Sequence, residues 1–215
     1  MNKWWYFRFR INWPQNQEPR WWIDIFIFDT IVRPILRENH KEIVLWRIHR
    51  RANRDQNGHQ LSFLCYSKDE TARFVNERII SNEGFSILKK AGLLERYFWE
   101  EEGRENKKIN VEDTSDKMWP IEIQKSWPLF IMGVSQMLLE LIEQMKRQSE
   151  QDMPTPNFSA PMHLIEGFYS ELNNKLAGIW QTNGSHAFFH HLNALFGYAP
   201  LVVHLRRSSA VLTTF

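Results

Sequence analysis

The sequence predicts an α+β fold, with a ferredoxin-like β-α-β-β-α N-terminal half and a helical C-terminal half. Three observations carry this. Residues 4–12 (WWYFRFRIN) alternate with period two: Trp5, Phe7, Phe9 and Ile11 fall on one side, and Trp4, Tyr6, Arg8, Arg10 and Asn12 on the other. Two further strand-like runs, 43–50 (IVLWRIHR) and 59–66 (HQLSFLCY), flank an Asn-Gly turn signal. Beyond residue 118 the apolar residues recur at helical spacing instead.

The elements follow in order. After the first strand, NWPQNQEPR reads as a loop, and residues 20–38 are long enough and apolar enough for a helix that Pro34 kinks or restarts. The paired strands 43–50 and 59–66 come next. Ser67 and Glu70 read as a capping box opening a helix through TARFVNERII, and a second helical piece ends near Gly92. A fourth strand is expected near RYFW or KINV. Residues 100–118 are charged and poor in apolar residues, so the expected organisation is an α+β half over 1–99, a linker or surface loop over 100–118, and a helical half over 119–215 packed with the first. Pro128 is placed at the first position of a helix carrying Met132, Ser135, Leu138, Leu139, Ile142 and Met145. Another helix opens at Pro161 and presents Ile165, Phe168, Tyr169, Leu172, Leu176 and Ile179; Asn183-Gly184 ends it. Ser185 then caps a helix that Gly197 closes, and the tail reads as a last helix or strand.

Composition narrows the function classes. With 43% hydrophobic and 24% charged residues the chain is globular rather than disordered. A net charge of +2 does not mark a nucleic-acid binder, so any basic signal is local. The single cysteine, Cys65, excludes an internal disulfide and a thiolate zinc site and reads as a buried structural thiol. No apolar run has the length of a signal peptide or a membrane span, and the expectation is a cytoplasmic protein without a membrane partner. There is no Gly-rich phosphate loop and no nucleophile elbow, so no cofactor is expected.

The local basic signal is the hairpin. Period two places Leu45, Arg47, His49 and Arg51 on one face and Val44, Trp46 and Ile48 on the other. If the apolar faces pack on the helices, Arg8, Arg10, Arg47, His49 and Arg51 share the opposite side with Trp4 and Tyr6. Guanidinium forks suit phosphates and carboxylates, and neighbouring aromatics suit stacked bases. The plainer reading is the ordinary polar face of an antiparallel sheet, or a face covered by helices or by a second copy of the chain. A second cluster, SHAFFHH, places His186 and His190 four apart on one helical face, but no third ligand is evident and no metal site is expected. His190 and His191 have the right chemistry for general acid–base work near neutral pH.

The order of these pieces resembles the C-terminal domain of lantibiotic dehydratases and the related thiopeptide-type bacteriocin biosynthesis proteins. The residues that carry the resemblance are the Trp-rich opening strand at Trp5–Tyr6, the helix holding Pro34, the strand with Arg47, the strand opening at His59-Gln60-Leu61-Ser62-Phe63, and FHHLNALFG at 189–197 with Asn193 and Leu195. The family's arginines are replaced by Leu61, Phe63 and Ala194, its motif His falls on Phe189 beside His190, and its Arg-Tyr-Gly-Gly segment has no counterpart. The resemblance implies modification of a ribosomal precursor peptide, such as a lyase-type elimination, by a catalytic or a substrate-binding member. Arg47 and His190 are the implied catalytic pair; His59 and Asn193 of the family motifs, with Arg8, Arg10, His49 and Arg51 of the sheet face, are the candidate anion- or peptide-binding residues. Two alternatives stand beside it: a non-enzymatic module that binds RNA or another polyanion on the Arg/Trp face, and a structural homodimer.

Overall fold

The computed structural model describes residues 1–99, 108–150 and 154–198. It is a mixed α/β structure built on a four-stranded antiparallel sheet of order β2-β3-β1-β4. The strands are β1 (Lys3–Ile11), β2 (Leu45–Ala52), β3 (His59–Ser67) and β4 (Leu94–Trp99). β1 is central and pairs with β3 from Lys3↔Ser67 to Ile11↔His59, and with β4 through Phe7↔Trp99 and Arg8↔Phe98. The fourth strand thus falls on the RYFW segment.

One face of the sheet is apolar because β1 alternates. Trp5, Phe7, Phe9 and Ile11 are buried with Leu61, Phe63 and Cys65 of β3. Phe9 meets Phe85 edge-on at 6.4 Å, and Phe7 stacks on Trp99 at 6.1 Å. The helices beneath are α1 (Trp21–Ile27), α2 (Arg33–Glu38), α3 (Asp69–Ile80) and α4 (Glu83–Lys90). Pro34 marks a restart of the first helical segment. A π-helical turn, Phe28–Val32, joins α1 to α2, and Pro34 sits in the first turn of α2, where its missing N–H costs little.

Three helix-start expectations are corrected. Ser67 is the last residue of β3, where its carbonyl accepts from Trp5 Nε1 at 3.1 Å; α3 has Lys68 at its N-cap and no side-chain cap. Asn82 is the residue that caps, accepting from Gly84 N at 2.8 Å at the start of α4. A Cβ on Gly84 would stand 3.1 Å from Phe26 Cε1, so α4 approaches α1 closely at this glycine.

Pro128 lies inside α5 (Ile121–Ser149) rather than at its start. It has no N–H for the Gln124 carbonyl, which instead accepts from Ser115 Oγ at 2.6 Å. Ser185 does not cap a new helix either: α6 (Met162–Gly184) continues through a π-helical segment, Ser185–His190, into α7 (His191–Leu195), and Gly197 at φ +66° follows its end.

Residues 108–118, the described part of the charged segment, lie against the sheet. Trp4 donates its backbone N–H to Lys108 O at 2.9 Å and Nε1 to Val111 O at 2.9 Å. Residues 100–107, with the acidic run at Glu100–Glu102, and the tail from 199 lie outside the described residues. By internal packing the chain forms two units, Met1–Leu176 and Ala177–Phe215. Among the described residues no helix is long and apolar enough to cross a membrane.

Candidate functional site: the open face of the sheet

The other face of the sheet divides in two. At one end Trp4, Leu45 and Leu64 form a small buried cluster covered by Tyr6, Tyr66, Val111 and Met132. Trp4 therefore does not join a cationic surface. Beyond this cover the face opens into a groove of about 470 Å³ lined by Tyr6, Arg8, Arg47, His49, Arg51 and Phe98 among others. The alternation of β2 holds: Arg47, His49 and Arg51 face the groove.

Register builds the groove row by row. Arg47, Leu64 and Tyr6 lie across neighbouring strands; His49, Ser62, Arg8 and Phe98 form the next row, and Arg51, Gln60, Arg10 and Arg96 the row after. Cross-strand neighbours on one face stand about 5 Å apart, so these side chains are in mutual reach.

The cations are not equivalent. Arg47 is half-buried, donates to Thr114 O at 3.2 Å, and has its pKa lowered by burial. Arg51 is held by Asp55 through contacts of 3.2 and 2.5 Å, and Arg10 Nε stands 3.7 Å from Glu95. Arg8 and Arg96 have no carboxylate at ion-pair distance among the described residues; they pair with rings. Arg8 lies over Tyr6 at 4.8 Å and over Phe98 at 5.5 Å, and Arg96 lies over Phe98 at 5.3 Å. Lys108 lies over the Tyr6 ring at 3.9 Å. The result is an alternating ladder of cation and ring: Lys108, Tyr6, Arg8, Phe98, Arg96. His49, at the rim, has its pKa lowered by desolvation from the side chains packed around it and then by Arg47 and Arg51, so the imidazole is largely neutral at pH 7.

His59 does not belong to this face. It opens β3 on the core side, 1% exposed, with Nε2 3.2 Å from Asp24 Oδ2 and the Trp21 ring edge-on at 4.9 Å. Its position in the alternation with Leu61 and Phe63 already carries that signal. Arg50, also on the core side, donates to Asp24 Oδ2 at 2.9 Å and to Asn173 Oδ1 at 3.2 Å. Arg96 and Phe98 were missed because they need β4, which local pattern alone does not define.

The unit Ala177–Phe215 holds the other expected residues. His190 stacks on His186 at 5.1 Å and lies edge-on to His191 at 5.3 Å; the Asn193 carbonyl accepts from Tyr198 N at 2.9 Å. Among the described residues no group of three or more His, Cys, Asp or Glu side chains could hold a metal ion. Cys65 is buried, and burial pushes its thiol up to about 12.

Comparison with known proteins adds no assignment: no family model, no curated protein and no solved structure matches the chain.

Proposed function

We propose that the N-terminal unit is a ferredoxin-like sandwich whose open sheet face binds single-stranded nucleic acid without catalysis. The order β2-β3-β1-β4, with helical connections between β1 and β2 and between β3 and β4, supports the topology. The cation–ring ladder carries the function. Guanidinium groups suit phosphates, ring faces suit unstacked bases, and the two alternate here at cross-strand spacing on an open groove. A duplex would bury its base faces and leave the rings unused.

Elimination on a ribosomal precursor peptide, which the family resemblance implies, draws less support from the geometry. It asks Arg47 to stabilise a departing carboxylate, and Arg47 is half-buried on the Thr114 carbonyl. A homodimer seated on the same face would bury Arg8 and Arg96 without carboxylates, at a desolvation cost.

The test is fluorescence anisotropy with a short labelled oligouridylate across a salt series. Binding that weakens steeply with salt, because phosphate contacts release counterions, and that an Arg8→Gln, Phe98→Ala double variant loses, is the expected result. Absence of binding at about 50 mM salt, or binding that the double variant retains, overturns the reading.

A further inference from the structure

A second cavity, of about 360 Å³, sits at the tip of the β2–β3 hairpin. Its lining includes Arg10, Trp13, Asn53, Arg54, His59 and Glu95. Its chemistry differs from that of the open face. Two guanidinium groups, Arg10 and Arg54, are matched by two carboxylates, Asp55 and Glu95, so the cavity has no excess of cations to hold a bare phosphate. Arg54 is fully engaged: it donates to the carbonyls of Trp13, Pro14 and Gln17 and lies 3.5 Å over the Trp13 ring. Asp55 is engaged as well, accepting from Arg51 and from the backbone N–H groups of Asn57 and Gly58.

What remains uncommitted is a reading set. Arg10 and Glu95 are loosely paired at 3.7 Å, and the Glu95 side chain is 60% exposed. Gly58, at φ +56°, lies beside the Arg10 guanidinium at the turn, and its left-handed backbone favours glycine there. The third member is His59. Arg50 Nε and His59 Nε2 both stand at Asp24 Oδ2, at 2.9 and 3.2 Å. The other ring nitrogen, Nδ1, is buried without a hydrogen-bond partner. A buried unpartnered ring nitrogen is costly to keep, and a ligand that hydrogen-bonds to it removes that cost.

Arg10 also connects the two places. It sits in the row of Arg51, Gln60 and Arg96 on the open face while its guanidinium lines the tip cavity. A strand lying on the ladder therefore passes the mouth of the cavity.

We propose that the tip cavity reads one guanine of the single strand held on the open face. Arg10 donates its fork to O6 and N7, Glu95 accepts from N1–H and the exocyclic amine, and the unpartnered His59 Nδ1 hydrogen-bonds to the same nucleoside. The inference rests on the proposed nucleic-acid function and adds sequence preference to it, since contacts to phosphates position a strand and contacts to base edges specify it.

The experiment measures binding of short oligouridylates carrying one guanosine, or in its place one adenosine or cytidine, to the wild type and to Glu95→Gln and His59→Gln, each first checked for folding by thermal melting. About a tenfold preference for the guanosine strand is expected, lost in Glu95→Gln while affinity for plain oligouridylate is kept. His59→Gln tests the same point if it melts as the wild type does; if it is unfolded, Glu95→Gln alone decides. Equal affinity for all strands, a preference for another base, or a guanosine preference that Glu95→Gln retains overturns the tip reading and leaves the open-face function standing. If no strand binds, the open-face function falls, and guanosine monophosphate alone is then titrated while the Trp13 Nε1–H and His59 ring resonances are followed. A shift of both keeps the cavity as a guanine site in its own right, and no shift removes it.

Discussion

Tyr169 Oη donates a 2.8 Å hydrogen bond to Asp29 Oδ2 across 140 residues of sequence. Asp29 sits in the π-helical turn between α1 and α2, with its side chain 1% exposed, and the same oxygen accepts from Lys146 Nζ of α5 at 2.9 Å. Arg33 holds the other oxygen and also meets Glu143 of α5. One buried carboxylate thus gathers the π-turn, α5 and α6. Burial, and then Asp29 itself, raise the Tyr169 pKa, so the phenol stays protonated and remains the donor.

Tyr169→Phe removes that one donor and nothing else of size. A hydrogen bond to a charged acceptor contributes about 2 kcal/mol, and the loss is expected in full because no water reaches the oxygen easily. Urea denaturation followed by tryptophan fluorescence measures it: the midpoint falls with an unchanged slope. An unchanged midpoint would mean that Lys146 and Arg33 alone satisfy Asp29.

Edge protection gives a second expectation. β2 is an edge strand, and the Ile48 N–H, which has no strand partner on that side, donates to Ser135 Oγ of α5 at 3.2 Å while the hydroxyl donates to Ile131 O at 2.7 Å. Ser135→Ala leaves a buried N–H unpaired at a cost of about 1–3 kcal/mol. Amide hydrogen exchange at Ile48 is expected to accelerate in the variant, and unchanged protection would show that the contact does not hold the edge.

How much of this was legible in the sequence depends on the range of the interaction. β1, β2 and β3 were readable because each buries one side, so alternation separates Arg47, His49 and Arg51 from Trp46 and Ile48. The same rule places His59 beside Leu61 and Phe63 in the core, where motif resemblance had set it among ligand residues. β4 was readable only as one of two segments, RYFW or KINV: Glu95 and Arg96 are both exposed and LERYFW shows no clean alternation. Its place is set by pairing with β1 ninety residues away (Arg8↔Phe98), and with it came Arg96 and Phe98. Pro128 misled for a similar reason. Pro128 lies inside a helix, and Ser115, outside the helix, satisfies the carbonyl that it orphans.

The thiol of Cys65 offers a check on the core. It is fully buried beside Ser67 Oγ at 3.7 Å, and burial pushes it up to about 12. At pH 8 the thiolate fraction is therefore negligible, and iodoacetamide leaves the native protein unlabelled. Labelling appears only in denaturant. Rapid native labelling, read by mass spectrometry, would place Cys65 at an opening that the sheet does not have.

His49 supplies a pH dependence whose sign can be worked out. Burial first, and then Arg47 and Arg51, lower its pKa in the folded chain from the ordinary 6.5. The unfolded chain therefore takes up the proton more readily than the folded one. Stability is unaffected while both forms are neutral, and it falls as the pH drops through 6.5 towards the folded-state value. A bound phosphate reverses the preference, because it favours the imidazolium that Arg47 and Arg51 oppose. Binding of oligouridylate accordingly takes up a proton and strengthens between about pH 7.5 and about pH 5.5. His49→Gln is expected to remove both effects together: the acid loss of stability diminishes and the affinity becomes flatter over that range. If the variant keeps the wild-type pH profile of binding, His49 does not face the bound strand, and the ladder of Tyr6, Arg8, Phe98 and Arg96 binds without the β2 rim.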